Sequence, residues 1–170
     1  QVSVVHNGII ENSDEIKKEL ESKGIKFKSQ TDTEVVTLLI TEALKANKPL
    51  DAVSKTIKKL KGSFALGIIF KKFSNIIIGA RRGSPLAVGY SKEENYIGSD
   101  SYALKSMTNK ISYLDDGELC MLTKNNVAFY DVNLKKINKK IHIVSDDENV
   151  SDKGDYKNFM SKEIFEQAST

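Results

Sequence analysis

A chain of 170 residues, 39% hydrophobic and 29% charged, has the length of one domain with a core large enough to fold. Its formal charge of +3 comes from lysines spread along the chain as solvated surface, and no apolar run approaches the ~20 residues that cross a bilayer, so neither nucleic acid nor membrane is an expected partner. A single cysteine, Cys120, excludes an internal disulfide framework and fits a reducing cytoplasm. No basic segment precedes an apolar one at the start, so no signal peptide is expected, and the missing initiator Met suggests a chain cut from something longer.

The first predicted strand runs from Val2 to His6 and ends in a turn at His6-Asn7-Gly8. A helix follows, capped by Asn12 with Glu15 completing a capping box; Ile16 and Leu20 share its inner face and Gly24 stops it. Ile25 to Ser29 alternates like a half-buried strand. A second capping box, Thr31 with Glu34, opens a helix whose stripe is Val36, Leu39, Ile40, Ala43 and Leu44. After Pro49 a third helix runs to about Leu60.

From Ser63 the period becomes that of strands. Ser63–Lys71 and Asn75–Arg81 are rich in β-branched and aromatic residues, with a turn at Lys72-Phe73-Ser74. Further strands are predicted at Leu86–Tyr90, Asn95–Gly98, Ile111–Leu114, Glu118–Thr123, Val127–Asp131 and Lys136–Ile143, with a short helix over Ser101 to Met107. Antiparallel strands after clustered helices predict an α+β layered fold. Residues 145–155 carry five acids and read as a linker, and Tyr156, Phe159, Met160 and Ile164 then recur at helical spacing. The expected division is therefore a domain over 1–144 and a linker with a helix over 145–170.

Four places could carry chemistry. Asn7-Gly8 could hold a developing oxyanion through a side-chain amide and a glycine N–H, although read alone it is an ordinary turn. Asp32 could bind a ligand's ammonium group, or could only complement the dipole of the helix it begins. Cys120 lies mid-strand with no histidine near it in sequence and reads as an inert packed thiol; with His6 and His142 it has no zinc spacing, so no metal is expected. Arg81-Arg82-Gly83-Ser84-Pro85 looks like a phosphate loop but lacks the Gly-x-x-x-x-Gly-Lys pattern, and a turn between strands is the simpler reading.

The order of these segments is more specific than any one of them. His6-Asn7-Gly8-Ile9-Ile10-Glu11-Asn12 and Thr31-Asp32-Thr33-Glu34 come first, then Ala80-Arg81-Arg82-Gly83-Ser84-Pro85-Leu86 and Ile97-Gly98-Ser99-Asp100. Asp152-Lys153-Gly154 and Met160-Ser161-Lys162-Glu163-Ile164-Phe165-Glu166-Gln167 complete the series. Across essentially its whole length the chain resembles the amide-hydrolysing domain of the glucosamine-6-phosphate synthases, which are class II, N-terminal nucleophile, glutamine amidotransferases. Amidophosphoribosyltransferases share the fold and a His-Asn-Gly motif, but the Ile-Ile-Glu-Asn continuation, the Gly-Ser-Pro-Leu loop and the tail are similar to the sugar enzymes.

The resemblance implies an N-terminal nucleophile hydrolase fold, with helices packed on antiparallel sheets in αββα layers, here incomplete on the N-terminal side. It implies attack by an N-terminal cysteine thiolate on the glutamine side-chain amide, through a tetrahedral oxyanion to a thioester and ammonia. Carried over, Asn7 donates its side-chain amide and Gly8 its backbone N–H to the oxyanion, and Gly8 and Asp32 bind glutamine, Asp32 through the α-ammonium group. The same resemblance implies fructose-6-phosphate as the ammonia acceptor, in an isomerase domain beyond Thr170, and a homo-oligomeric full enzyme in the cytoplasm with no cofactor. The family's nucleophile and its early Arg- and His-bearing segments are missing here, so this polypeptide is expected to be inactive alone. Two further readings stay open: a non-catalytic binding module encoded by a gene starting near Gln1, and a lysine-rich nucleic-acid binder with salt-sensitive affinity.

Overall fold

The first strand runs further than its local sequence announces. In the computed structural model, which describes residues 1–144 and Met160, β1 spans Val2–Ile10 without a break. The turn expected at His6-Asn7-Gly8 does not form. Asn7 and Gly8 instead sit opposite Ala65 and Phe64 of β2 (Gly62–Phe70), in an antiparallel register that continues to Ile10. Asn-Gly makes a hairpin only when the flanking residues pair with each other. Here β2 takes that place, and the non-local ladder overrides the local signal.

Three helices lie between these strands. The first, α1 (Ser13–Ser22), buries Ile16 and Leu20. Asn12 precedes it without capping it through its side chain, so the first expected capping box is not made. The Asn12 amide donates to Lys59 O at 2.9 Å and its carbonyl oxygen accepts from Lys61 N at 2.8 Å, fastening the end of β1 to the start of β2. Ile25–Ser29 is not a strand: the Lys28 and Ser29 N–H groups donate to the Glu34 carboxylate, which leaves no ladder for them to join. In α2 (Asp32–Ala43), Thr31 Oγ1 accepts from Glu34 N at 3.3 Å, as the second capping box requires. The Glu34 carboxylate turns to Lys28 and Ser29 instead of to the Thr31 N–H. The third helix, α3 (Pro49–Lys59), starts with proline where a missing N–H costs nothing and buries Val53 and Ile57.

The remaining elements are β3 (Phe73–Arg82), β4 (Ala87–Tyr90), β5 (Asn95–Gly98), α4 (Ser101–Leu104), β6 (Lys110–Tyr113), β7 (Leu119–Leu122), β8 (Val127–Tyr130), β9 (Lys136–Ile137) and β10 (His142–Ile143). They build a six-stranded sheet in the order β1-β2-β3-β7-β8-β9 and a four-stranded sheet in the order β10-β6-β4-β5. The single strand expected over Lys136–Ile143 is thus divided. Its first part pairs with β8 and its second with β6, because the chain crosses here from one sheet to the other.

Side-chain alternation explains the layers. On β2, Phe64, Leu66 and Ile68 are fully buried toward α1, α2 and α3, with Val36, Ile40, Val53 and Ile57 among their neighbours in one cluster. The opposite face carries Ala65 and Gly67, and further along the same sheet Cys120, Leu122 and Phe129 meet Leu86, Val88 and Leu114 between the sheets. Outside the second sheet, Leu104 of α4 packs on Ala87 and Ile111. Helices, sheet, sheet and helix follow one another, as the αββα expectation requires. Among the described residues nothing covers the outer face of β1 and the adjoining part of β2: Val5 is 72% exposed, Ile9 69% and Ile69 52%. Met160 is helical and exposed; the rest of the helix and linker expected over 145–170 lies outside the described residues.

Candidate functional site

An antiparallel strand turns its main chain alternately to its two sides. On β1, Gln1 O accepts from Lys71 N and Glu11 N donates to Lys61 O, so odd-numbered residues face β2. The even-numbered residues His6, Gly8 and Ile10 therefore face the other edge, where β1 pairs with no strand among the described residues. At that edge Ile10 N–H donates to Asp32 Oδ2 at 2.9 Å. By the same alternation the N–H of Gly8, two residues back, belongs to that edge.

Position 8 admits only glycine. Its φ is +131°, and a Cβ built there would lie 2.1 Å from Ser63 O and 2.9 Å from Phe64 Cα, both main-chain atoms of the paired strand. Side chains alternate with the opposite phase. Asn7 stands with Val5 on the uncovered face, where the two sheets part to leave a cleft. Asn7, Ala65 and Gly67 form one wall of that cleft, and Pro85, Ile97 and Ser99 the other. The fold thus brings Asn7 to Pro85, which follows Gly83-Ser84, and to the end of β5 at Ile97-Gly98-Ser99.

Asp32 lies beyond the strand edge, in the first turn of α2. Its place there suits the helix dipole, so the simpler reading of this residue holds as far as it goes. The geometry adds a tether. One carboxylate oxygen is fixed on Ile10 N, the other is 3.5 Å from His6 Nδ1, and the side chain remains 26% exposed. The turn that presents Asp32 is braced by Glu34, whose carboxylate accepts from Ser29 Oγ and from the Ser29 and Lys28 N–H groups. The Ser29 hydroxyl first, then the Lys28 N–H, hold the Glu34 carboxyl below its ordinary pKa.

In the sequence His6 stands out as part of a motif and as one of two histidines without zinc spacing. The structure shows it buried on the helix side of β1, with Nδ1 3.2 Å from Thr33 Oγ1. Period-two alternation with Val4 and Ile10 already puts His6 on the buried face, and a buried imidazole needs a partner. That partner comes from a helix 27 residues away, which no local pattern shows.

Other candidates fall away. Cys120 is completely buried between the sheets, and burial pushes its thiol up to about 12, so it is not a nucleophile. Arg81 and Arg82 are occupied by carbonyl groups: Arg81 donates to Leu114 O and Gly83 O, and Arg82 to Leu60 O at 2.6 Å and Ile57 O at 3.3 Å. The loop after them joins the two sheets, as the turn reading expected, and presents no free guanidinium to a phosphate. Among the described residues no group of three or more His, Cys, Asp or Glu side chains could hold a metal ion. No helix among them is long and apolar enough to cross a membrane.

The chain is 48% identical over 167 residues to the glutamine–fructose-6-phosphate aminotransferase (isomerizing) of Zymomonas mobilis, covering 98% of this chain and 28% of the relative. It is 46% identical, with the same two coverages, to the enzyme of that name from Aquifex aeolicus. The chain therefore spans little more than a quarter of the length of these relatives. Among solved structures it matches glutamine phosphoribosylpyrophosphate amidotransferase from B. subtilis with a TM-score of 0.67 at 24% identity, over 79% of this chain and 30% of the other. A glutamine aminotransferase class-II domain protein from Silicibacter pomeroyi matches with a TM-score of 0.61 at 17% identity, over 76% and 66%. At those identities the likeness establishes the fold, an α+β arrangement of antiparallel sheets between helices. A family profile described as "Glutamine amidotransferase domain" matches residues 1–106, which include Asn7, Gly8 and Asp32, and the chain belongs to that family.

Proposed function

We propose that the chain is part of the glutamine-hydrolysing domain of a glutamine–fructose-6-phosphate aminotransferase, and that the edge of β1 is its glutamine site. The observation that carries this reading is the place of Gly8 on the free edge strand β1, two residues from the Ile10 N–H that anchors Asp32, with the Asn7 side chain lining the cleft beside it. A thiolate adding to the glutamine side-chain carbonyl turns its oxygen into an oxyanion. Donors already fixed on a strand stabilise that charge without having to reorganise. Gly8 supplies one from the main chain and Asn7 one from its side chain. Asp32 holds the α-ammonium group by a charge-assisted hydrogen bond and so selects glutamine over simple amides.

The nucleophile is supplied from outside these 170 residues, since Cys120 is buried and remote from the β1 edge. It is the N-terminal cysteine that the family resemblance implies, with its own α-amine as base. The thioester it forms is hydrolysed to glutamate, and the released ammonia converts fructose-6-phosphate to glucosamine-6-phosphate in an isomerase domain. Residues 1–144 are the amidotransferase portion, and 145–170 lead toward that second domain. The complete enzyme is a cytoplasmic homo-oligomer.

Glutamine-dependent ammonia release, measured on the purified 170-residue chain and on the complete enzyme, tests this division of labour. The complete enzyme is expected to release ammonia and the chain alone none. Release by the chain that is lost on alkylating Cys120 would overturn the reading.

A further inference from the structure

The inference here rests on the proposed role of Asp32 and concerns what holds that carboxylate in place. The His6 side chain is only 2% exposed, yet it sits in a strand whose inner face is otherwise apolar. A histidine in that setting is costly unless its nitrogens find partners. Nδ1 has Thr33 Oγ1 as its hydrogen-bond partner at 3.2 Å and Asp32 Oδ1 beside it at 3.5 Å, while Nε2 is buried without a hydrogen-bond partner among the described residues. A carboxylate oxygen opposite Nδ1 favours the tautomer with the hydrogen on that nitrogen. One N–H then points between the Thr33 hydroxyl and the Asp32 carboxylate.

The two oxygens of Asp32 are thereby restrained from different directions. Oδ2 is fixed by the main chain of β1 at Ile10, and Oδ1 is faced by the imidazole that arises from the same strand four residues earlier. An acid on an exposed helix turn would otherwise rotate about its side-chain torsions. We propose that His6 is a positioning residue, which locks the Asp32 carboxylate against the edge of β1 so that glutamine meets it in one orientation. His6 does not touch the reacting amide. It acts only on substrates whose recognition runs through Asp32.

That restriction separates positioning from a merely structural role. In the complete enzyme, His6→Phe keeps the ring and removes the Nδ1–H. It is expected to lower kcat/KM for glutamine roughly tenfold, mainly through KM, as misplacement of a substrate-positioning group does. It is expected to leave kcat/KM for 4-carbamoylbutanoate, which is glutamine without its α-amino group, within about twofold of wild type. With Asp32→Asn already present, adding His6→Phe should have little further effect on glutamine. If His6→Phe is not recovered folded, two amides carry the comparison. His6→Asn places a donor near the Nδ1 position and is expected to retain the preference for glutamine, whereas His6→Gln reaches toward Nε2 and is expected to lose it.

Equal losses on both substrates would overturn the proposal, as would retention of the preference by Gln but not by Asn. If Asp32→Asn itself leaves the preference unchanged, the role of Asp32 fails, and the positioning proposal fails with it for that identifiable reason.

Discussion

Replacing Gly8 by alanine puts a carbon 2.1 Å from Ser63 O and 2.9 Å from Phe64 Cα. Both are main-chain atoms of β2, so no change of rotamer relieves the contact. Reaching even 3.0 Å from Ser63 O means moving one strand by about 0.9 Å (3.0 − 2.1) against its partner. A non-glycine residue held at φ +131° adds about 1–3 kcal/mol of backbone strain. Disturbing one or two ladder hydrogen bonds adds about 1 kcal/mol each. The expected cost is therefore about 2–5 kcal/mol. Gly24→Ala is the control, because Gly24 also has a positive φ, +80°, but a Cβ there meets nothing within 4 Å. That change should cost only the left-handed penalty of about 1–2 kcal/mol. Urea unfolding of the chain and both variants, followed by far-ultraviolet circular dichroism, gives the two differences directly. A Gly8→Ala loss equal to or smaller than that of Gly24→Ala would refute the claim that close strand approach, and not φ alone, requires glycine at position 8.

Three further outcomes are expected. Arg82→Ala removes the donors that satisfy Leu60 O and Ile57 O and the guanidinium that lies over the Phe64 ring, and should cost about 1–3 kcal/mol in thermal or urea unfolding. Lysine at that position should restore only part of it, and a loss too small to measure would contradict the assignment. Because the folded-state pKa of Glu34 is lowered, its contribution to stability is present above the unfolded value and disappears as pH falls through the folded one. The amide signals of Lys28 and Ser29 should thus move with a midpoint below the ordinary value of 4.5, and a midpoint at or above it would contradict the sign. Cys120, buried and with its thiol raised to about 12, should resist iodoacetamide at pH 8 in the folded chain and react after denaturation. Native alkylation at the rate of an exposed thiol would show that the sheets part more readily than their packing implies.

What could be read from the sequence divides along the range of the interactions. The helices α2 and α3 are legible because Thr31, Pro49 and their apolar stripes act within a few residues. Strands β2 and β3 are legible from β-branched runs that end up buried on at least one face. Two misreadings share a physical cause, which is a distant partner prevailing over a local one: Asn7-Gly8 pairs with β2 in place of turning, and Asn12 bonds to Lys59 and Lys61 in place of capping α1. A third runs the other way, since Glu34, only a few residues on, takes the N–H groups that a strand over Ile25–Ser29 would have offered a neighbour. The division of Lys136–Ile143 has a related origin, since nothing within eight residues reveals that its ends belong to different sheets. At the proposed site, Asn7, Gly8 and Asp32 stand out in the sequence through the order of the motifs. The role of His6 does not, because its partners Asp32 and Thr33 reach it only once α2 has docked on β1.

The central claim, that the β1 edge stabilises an oxyanion on glutamine, is tested most directly by the kcat for ammonia release in the complete enzyme carrying Asn7→Ala. Loss of one oxyanion donor typically costs ~10²–10³ in rate, and a fall of that size with a much smaller change in the KM for glutamine is the expected result. An Asn7→Ala enzyme that is folded and turns over glutamine at the wild-type kcat would contradict the account.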